Sequence, residues 1–374
     1  MANIFNVVQD LANFAAIFLN ANLGIPNRVN RQVEQSYTEG KGDTVDVTSR
    51  SPLGDAIEYS HPTVTGVAIS ETKIPVVLTN HLYKAADLTA KDVTLNIRNF
   101  NDQVLFPLLL SIANTVEKKI LLELVGSFAR NVVGTAGTEP STVAHLTAAV
   151  KQLKKNKVPS DQGFLAAINP DAWGNFMGQA QFQSSDYGNN RPNDLKVGQL
   201  SPITGITDFF DTQNLGDFAQ GDIAGTVLVD GAAQTGSSLA VDAFTAATGT
   251  VKKGTRFTIN GIAGQTFTVT ADAAIASNEA TLPIYPALPS SPADDAAITF
   301  ETAFKENLVF HPKAHAAAII APASHKGGQS AISQFNGLSV RVGFVQSGLQ
   351  EQVFADILFG QKNLTPEAGI IPQG

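Results

Sequence analysis

The chain has 374 residues, of which 43% are hydrophobic and only 16% are charged. This length can bury a large core and predicts two or three domains. The net charge of −8 argues against a protein that holds nucleic acid through phosphate contacts. Because the chain contains no cysteine, disulfides, thiolate metal ligands and cysteine nucleophiles are excluded.

The first segment predicts an amphipathic helix over residues 3–20, followed by a turn that ends at Pro26. The helix could pack on its own domain, or act as an arm that docks on a neighbouring subunit or an assembly factor. The apolar residues predicted to make such an interaction are Phe5, Val8, Leu11, Phe14 and Phe18. No basic residue precedes Arg28, so we do not expect an export signal, and no run is long enough for a transmembrane helix. We therefore expect a soluble protein made in a cytoplasm.

Residues 37–98 predict strands and loops with little core of their own. Thr44–Thr48 alternates with period two, and Thr72–Leu78 forms a second strand in which Pro75 favours an edge position. Ser51–Gly66 has the composition of a loop. A two-stranded excursion of this kind needs another surface to cover it, which we expect a neighbouring subunit to provide.

One long helix is predicted over residues 102–131, with Asn101 or Asp102 as its N-terminal cap and Pro107 near the first turn. A helix of roughly 28 residues spans about 42 Å and would suit a structural spine. The apolar stripe that defines it consists of Leu105, Leu109, Ile112, Val116, Ile120, Leu124 and Phe128.

A mixed region follows over residues 140–220. A helix is predicted from Ser141 to Lys157, and Phe164–Ile168 reads as a buried strand that Asn169-Pro170 turns into a short helix. The lysines in the last turns of the longer helix favour its C-terminus and read as a solvated face rather than a nucleic-acid site. They are Lys151, Lys154, Lys155 and Lys157.

Residues 221–302 show strand patterns and turns but no helical periodicity, which predicts a small β-barrel or sandwich. The six predicted strands are Thr226–Val229, Leu239–Phe244, Arg256–Ile259, Thr266–Thr270, Ala280–Pro283 and Ala297–Phe300. This block holds eight acidic residues against three basic ones, a net charge of −5, which indicates a water-facing position. After it, Ala314–Ile320 reads as a buried run, while Leu338–Val342 and Glu351–Phe359 read as strands.

No catalytic or metal-binding constellation is evident. His311 and His315 have the spacing of two ligands on one helical face, with His325 as a third candidate. Pro312 and the apolar run that follows indicate extended chain instead, which would separate the histidines. The motifs of nucleophilic hydrolases, dinucleotide sites and phosphate loops are missing from the sequence. We expect no cofactor, no metal and no enzymatic activity.

Several segments, taken in their order along the chain, resemble the P22-type major coat proteins of tailed bacteriophages. The segments that carry the likeness are Gly42-Asp43-Thr44-Val45 with Arg50-Ser51-Pro52, Val93–Phe128, Leu195–Gly198 through Asp208–Leu215, Thr255–Ile259 with Phe267–Ala271, and Phe354–Gly360 with Leu364–Glu367. Each motif is short, and their order and spacing along nearly the whole chain are the stronger signal. Phe359 stands where the family commonly has tyrosine.

The resemblance implies an α+β chain with the HK97-like capsid fold and an inserted small β-barrel. The implied parts are an N-terminal arm (1–36), an extended β-loop with the start of the peripheral domain (37–98), the spine helix of the peripheral domain (99–139), an axial domain (140–220), the inserted barrel (221–302), and a return through the axial domain to the C-terminal peripheral strands (303–374).

The resemblance also implies the function and the partners. Copies of the chain would form pentamers and hexamers of an icosahedral shell around a double-stranded DNA genome, in a virion assembled in the host bacterial cytoplasm. Scaffolding and portal proteins would be partners, with room for a decoration protein and non-specific contact with packaged DNA, and no membrane would be involved. Two alternatives stay open: the shell of an encapsulin-like cellular nanocompartment, and a β-rich carbohydrate-binding or adhesin protein.

Overall fold

The computed structural model describes residues 4–37, 42–50, 71–89, 100–180, 205–324, 329–347 and 350–374. The chain divides into two compact units. The first unit consists of residues 1–120 and 315–364, and the second of residues 121–314 and 365–374. None of the described helices has a stretch that is long and apolar enough to span a membrane. The predicted loop Ser51–Gly66, the segment Leu195–Gly198 and His325 lie outside the described residues.

The described chain mixes helices and strands throughout, in agreement with the predicted α+β class. The α-helices are α1 (Ile4–Asn22), α2 (Phe106–Phe128), α3 (Val143–Lys155) and α4 (Pro170–Met177). The strands are β1 (Thr44–Arg50), β2 (Glu71–Val77), β3 (Asn80–Thr89), β4 (Val132–Val133), β5 (Phe164–Ile168), β6 (Ile206–Asp211), β7 (Gly225–Val229), β8 (Gly236–Phe244), β9 (Thr248–Val251), β10 (Arg256–Ile259), β11 (Phe267–Val269), β12 (Ala273–Ala276), β13 (Ala280–Leu288), β14 (Ile298–Phe300), β15 (Leu308–Phe310), β16 (His315–Ile320), β17 (Gln329–Phe335), β18 (Leu338–Ser347), β19 (Gln350–Asn363) and β20 (Gly369–Pro372).

The first unit is built on an antiparallel sheet in the order β16-β19-β18-β17, with β3 paired to β19 as well. Helix α1 lies on β17 and β18. Its inner face is made largely of alanines, which let the helix backbone approach the strands closely. The residues buried on this face are Val8, Ala12, Ala15, Ala16 and Leu19.

Strands β1 and β2 form a separate two-stranded antiparallel sheet in the first unit. Val76 is fully buried there with Val33 and Ala316, and Val45 and Val47 pack against them. The base of this hairpin is therefore covered by its own chain, whereas the sequence predicted that a neighbouring subunit would cover the excursion. Pro75 lies in β2, opposite Asp46 of β1, and both strands of a two-stranded sheet are edges, as expected for a strand that contains proline.

The start of the long helix differs from the prediction. Helical backbone is already present at Phe100, and residues Asn101–Leu105 form a single π-helical turn before α2. Asn101 and Asp102 thus lie inside the helical turn, and the prediction that one of them caps the helix is wrong. Pro107 accounts for the wide turn, since its ring crowds the carbonyl four residues earlier and it has no N–H to donate to that carbonyl. The helix ends at Phe128, three residues before the predicted end.

The second unit contains a five-stranded sheet in the order β4-β20-β15-β5-β6, with α3 and α4 packed around it. Strand β5 is buried along its whole length, as its apolar sequence predicted. Asn169 then caps α4, because its side chain accepts a hydrogen bond from the backbone N–H of Ala172 at 2.8 Å. Strands β15 and β20, which the sequence did not predict, complete the sheet from distant parts of the chain.

Residues 221–302 contain strands and turns only. Six of the strands form one sheet in the order β14-β10-β11-β13-β8-β7, and β9 pairs with β12. The two outer strands of the large sheet meet, because Leu228 forms a bridge with Ala297 and the N–H of Val229 donates to the carbonyl of Ala296 at 3.0 Å. The six predicted strands are all present, whereas β9 and β12 were missed because they are short and rich in glycine, alanine and threonine.

This β-block has its own apolar core, in which Phe257 is fully buried. The ring of Phe257 contacts those of Phe267 and Phe300, with centroids 5.7 Å and 5.9 Å apart. We predict that Phe257→Ala lowers the free energy of unfolding by about 3–5 kcal/mol, because it leaves a cavity among these rings. Denaturant unfolding of the full chain measures the effect. Thr281→Ala, on the exposed face of β13, is the matched control and should change stability by less than about 0.5 kcal/mol; equal losses would contradict the assignment of Phe257 to a packed core.

Candidate assembly surfaces

The five predicted interaction residues of the N-terminal helix lie in different environments. Val8 is buried on the face that packs against β17 and β18, and Leu11 is half-buried. Phe14 and Phe18 are half-buried and stack on each other with centroids 6.1 Å apart. The side chain of Phe5 lies outside the described residues. Part of the predicted interaction face is therefore used within the chain itself, and its role towards a partner stays a prediction.

Helices α1 and α2 together leave an apolar patch at the surface of the first unit. The ring of Phe18 lies against that of Phe106, with centroids 4.1 Å apart. Ile17 is 52% exposed, Phe106 39% and Leu110 37%. We call Phe14, Ile17, Phe18, Phe106 and Leu110 the outer apolar patch. Sequence periodicity placed Phe14 and Phe18 on a helical face, but only the packing of α1 beside α2 adds Phe106 and Leu110 to it.

A buried ion pair connects the central strands of the first unit. Arg341 on β18 donates from Nε to Oδ1 of Asp356 on β19 at 2.9 Å, and its Nη2 binds the second carboxylate oxygen. Both side chains are almost completely buried. His81 on β3 adds a contact from Nε2 to Oδ2 of Asp356 at 2.7 Å, and Arg341 also donates to the carbonyl of Ala323. Asp356 therefore joins three strands through one carboxylate.

Glu34 attaches the segment after α1 to the same sheet. Its carboxylate accepts hydrogen bonds from Nε and Nη2 of Arg31 at 2.8 and 2.9 Å, and from the N–H of Ile319 on β16 at 2.9 Å. Burial raises the pKa of Glu34, and the hydrogen bonds and charge of Arg31 oppose that rise. Tyr37 donates to the carbonyl of Val76 at 2.6 Å, and burial together with Asp43 raises the pKa of its hydroxyl to about 12.

Glu34 and Tyr37 line a cavity of about 390 Å³ together with residues of β16, β17 and β18. The carboxylate in this cavity is already held by Arg31 and by a backbone N–H. The arrangement fastens the N-terminal segment to the sheet, and its hydrogen bonds are structural.

The two histidines His311 and His315, considered as metal ligands from the sequence, do not lie on one helix. His311 precedes a 3-10 turn at Pro312–Ala314, and His315 begins β16. Nε2 of His311 contacts Oδ1 of Asp161 at 3.0 Å, and Nζ of Lys313 donates to Oδ2 of Asp161 at 2.9 Å. These two hydrogen bonds lower the pKa of Asp161 to about 2. Within the described ranges, no group of three or more potential metal ligands is present.

The lysines at the end of α3 project into solvent, as their sequence position suggested. Lys151, Lys154 and Lys155 line a shallow groove of about 530 Å³ with Thr147 and Val150. Such a row of exposed cations at a helix C-terminus is explained by the helix dipole.

The acidic β-block is fastened to the end of helix α2 inside the second unit. Lys253, in the loop before β10, donates from Nζ to Oε1 of Glu123 at 2.7 Å and to Oγ of Ser127 at 2.9 Å. The backbones approach closely at Gly126 and Gly254, where a Cβ on Gly254 would lie 3.1 Å from the Cα of Gly126. Gly254 also has φ of +100°, so both its space and its conformation require glycine.

A second attachment uses an aromatic ring. The guanidinium of Arg130 lies 4.1 Å from the centroid of the Tyr285 ring on β13. Arg130 also contacts Oε1 of Glu367 at 3.4 Å. These contacts hold the block against the remainder of its own unit at two separate points.

Comparison with known proteins gives similarity in structure but not in sequence. No protein-family model matches the chain, and no curated protein matches it. A structure from Mycobacterium phage Che8 is similar over 93% of this chain and 90% of its own, with a TM-score of 0.51 and 14% identity. A capsid structure of the cyanophage P-SCSP1u has a TM-score of 0.47 and 12% identity, over 89% of this chain and 84% of that one. The capsid of Ralstonia phage GP4 has a TM-score of 0.46 and 10% identity, over 90% and 83%.

The Che8 structure is the neighbour on which the fold assignment rests. Its similarity extends over nearly the whole chain, so it includes both compact units rather than one common motif. At this level of identity the likeness establishes a shared fold. The likeness to phage proteins that the sequence indicated is confirmed at the level of fold.

The buried ion pair gives a test of the first unit. Arg341→Met should lower the free energy of unfolding by about 3–5 kcal/mol, because it leaves the buried carboxylate of Asp356 without its cation. The double variant Arg341→Met/Asp356→Leu should recover most of that loss, since neither buried charge remains. Denaturant unfolding of both variants measures the coupling. Additive losses in the double variant would show that the two side chains do not depend on each other.

Proposed function

We propose that this chain is the major capsid protein of a tailed phage, and that copies of it assemble into an icosahedral shell around double-stranded DNA. The observation that carries the proposal is the fold shared with a phage structure over 93% of the chain. The ordered coat-protein motifs, among them Phe354–Gly360 and Leu364–Glu367, support the same assignment from the sequence. The role is structural, and the chain's chemistry is that of non-covalent association rather than catalysis.

In finer detail, the fold is HK97-like. Helix α2 serves as the spine of a peripheral domain whose sheet contains β3, β17, β18 and β19. The sheet around β5, β15 and β20 belongs to the axial domain, and β1 and β2 form the base of the extended loop. Residues 221–302 form an inserted closed barrel, which is supported by the contact between the outer strands β7 and β14 and by a separate apolar core.

The partners follow from this role. The main partner is the chain itself, in pentamers and hexamers of the shell. Scaffolding and portal proteins act during assembly in the host cytoplasm, and the product is the virion capsid. Packaged DNA is contacted non-specifically, which agrees with a net charge of −8, because tight binding of phosphates would hinder packaging.

We predict that the purified full-length protein forms closed shells, or sheets and spirals when no assembly factor is present. Negative-stain microscopy and size-exclusion chromatography over a range of concentration and salt measure this. Shells that contain DNA when isolated from infected cells support the phage role, whereas shells that contain an enzyme support the nanocompartment. A compact monomer under every condition would falsify the shell proposal and would favour the adhesin or carbohydrate-binding alternative.

The outer apolar patch supplies a second prediction. Ile17→Ser should change the unfolding free energy of the monomer by no more than about 0.5 kcal/mol, because the side chain is half exposed and the change lies at the surface. It should nevertheless reduce the yield of assembled particles if α1 contacts a neighbouring subunit or scaffold. Thermal unfolding and particle yield are measured on the same preparation.

Leu19→Ala is the matched control for Ile17→Ser. Leu19 is fully buried on the inner face of the same helix, so its truncation should lower stability by about 2–5 kcal/mol. The double variant Phe14→Ser/Phe18→Ser tests the residues indicated by the sequence, but it also removes the Phe18–Phe106 contact. Normal assembly by Ile17→Ser together with destabilised Leu19→Ala would mean that α1 is a core helix only.

A further inference from the structure

Strand β17 is an outer strand of the sheet in the first unit. It comes last in the order β16-β19-β18-β17 and pairs only with β18 among the described strands. The register runs without interruption from Gln329 opposite Phe344 to Phe335 opposite Leu338. Every second residue of β17 therefore points its backbone groups away from β18, and no bulge interrupts this row.

The sequence of β17 lacks the devices that usually prevent outer strands from pairing with other chains. Proteins protect such edges with charged side chains, proline, bulges or closure of the sheet. In this chain β3 carries Lys84 and Asp87, β2 carries Pro75, and the outer strands of the β-block contact each other. Strand β17 reads Gln-Ser-Ala-Ile-Ser-Gln-Phe, with no charge and no proline.

The hairpin fixes which backbone groups of β17 point outward. Asn336 and Gly337 form the two-residue turn between β17 and β18, with φ of +50° and +83°. The residues that flank such a turn bond to each other, so Phe335 faces β18 and the groups of Gln334 and Ile332 alternate to the outer side. The carbonyl of Ile332 does point away from β18, because it accepts a hydrogen bond from Nε2 of Gln9 at 3.3 Å.

The uncharged sequence of β17 allows it to pair with a second copy of itself. If two copies of β17 lie antiparallel around Ile332, Ala331 faces Ser333 and Ser330 faces Gln334 of the other strand. No like charges meet, and the pairs are small or uncharged. Ile332 is 37% exposed and Phe335 43% exposed, so the pairing would also cover apolar surface.

We propose that β17 pairs with β17 of a second copy of the chain, antiparallel and centred on Ile332, so that two sheets become one across a two-fold axis. The proposal rests on the proposed function in that it supplies one contact between copies in the assembled particle. A backbone N–H of the partner strand replaces the Gln9 side chain as donor to the Ile332 carbonyl. Such a contact is isologous, since the same strand serves both partners.

The absence of cysteine from the natural chain allows a direct test by disulfide formation. Ile332 lies opposite its own copy in a hydrogen-bonded pair, where the Cα atoms are about 5.5 Å apart, within the range that a disulfide bridges. Ile332→Cys should therefore give covalent dimers when assembled particles are oxidised mildly and run on a non-reducing gel. Tyr83→Cys, on the exposed outer face of β3, and Ala331→Cys, whose opposite residue is Ser333, should stay monomeric.

Co-assembly of two different cysteine variants tests the register of the β17 pair. This test does not require that Ile332→Cys folds. Ser330→Cys and Gln334→Cys proteins should each stay monomeric alone and give dimers only when they are co-assembled. Dimers from Tyr83→Cys or Ala331→Cys in the same yield as from Ile332→Cys would overturn the proposed pairing, because random collision would explain the result.

Particle formation is followed by microscopy on the same samples, which separates the two proposals. If particles form and neither the Ile332→Cys sample nor the mixed sample cross-links, the β17 contact is wrong and the shell function stands. If no particle forms but Ile332→Cys dimers and mixed dimers appear in solution, the β17 contact stands and the shell function fails.

Discussion

Strand β19 is the element on which the first unit depends. It is fourteen residues long and pairs with β3 over its first ten residues, with β18 over its first seven and with β16 over its last six. Asp356, near its middle, is buried and held by Arg341 of β18 and His81 of β3. A buried carboxylate must keep such partners, because an unpaired charge in the interior is strongly unfavourable. The carboxylate of Asp356 thus links the consecutive strands β18 and β19 to β3, which is distant in the sequence.

In the second unit, the contact between helix α2 and the β-block depends on the close approach of two backbones and not on charge alone. Gly126 and Gly254 allow helix α2 and the β-block to touch, and Lys253 then reaches Glu123 and Ser127. Gly369, on β20, has a similar role, because a Cβ there would collide with the ring of Phe128. Gly126 and Gly254 explain how a β-block with its own core can still be held tightly against helix α2.

The low charged fraction of the chain is consistent with a protein that covers itself with copies. Surface that is neutral rather than charged can be buried against another subunit without the large cost of removing ions from water. The outer apolar patch and the uncharged strand β17 are two such regions, and both lie in the first unit. The acidic β-block, with its net charge of −5, carries most of the excess negative charge of the chain.

The sequence by itself determined the elements whose patterns are local. The apolar stripe from Leu105 to Phe128 predicted the long helix, and the uninterrupted apolar run Phe164–Ile168 predicted a buried strand. The alternation in Arg256–Ile259 predicted one strand of the β-block. The tertiary structure decided the features that depend on contacts between distant segments of the chain. Short strands such as β15 and β20 exist because partners from distant segments satisfy their backbone groups, and the helical turn at Asn101–Leu105 is widened by Pro107 instead of being capped. The apolar face of α1 was predictable from the helical spacing of its residues. Which of these residues are buried and which stay exposed was decided by the strands and the helix beside α1, because the burial of a side chain depends on the surface that packs against it.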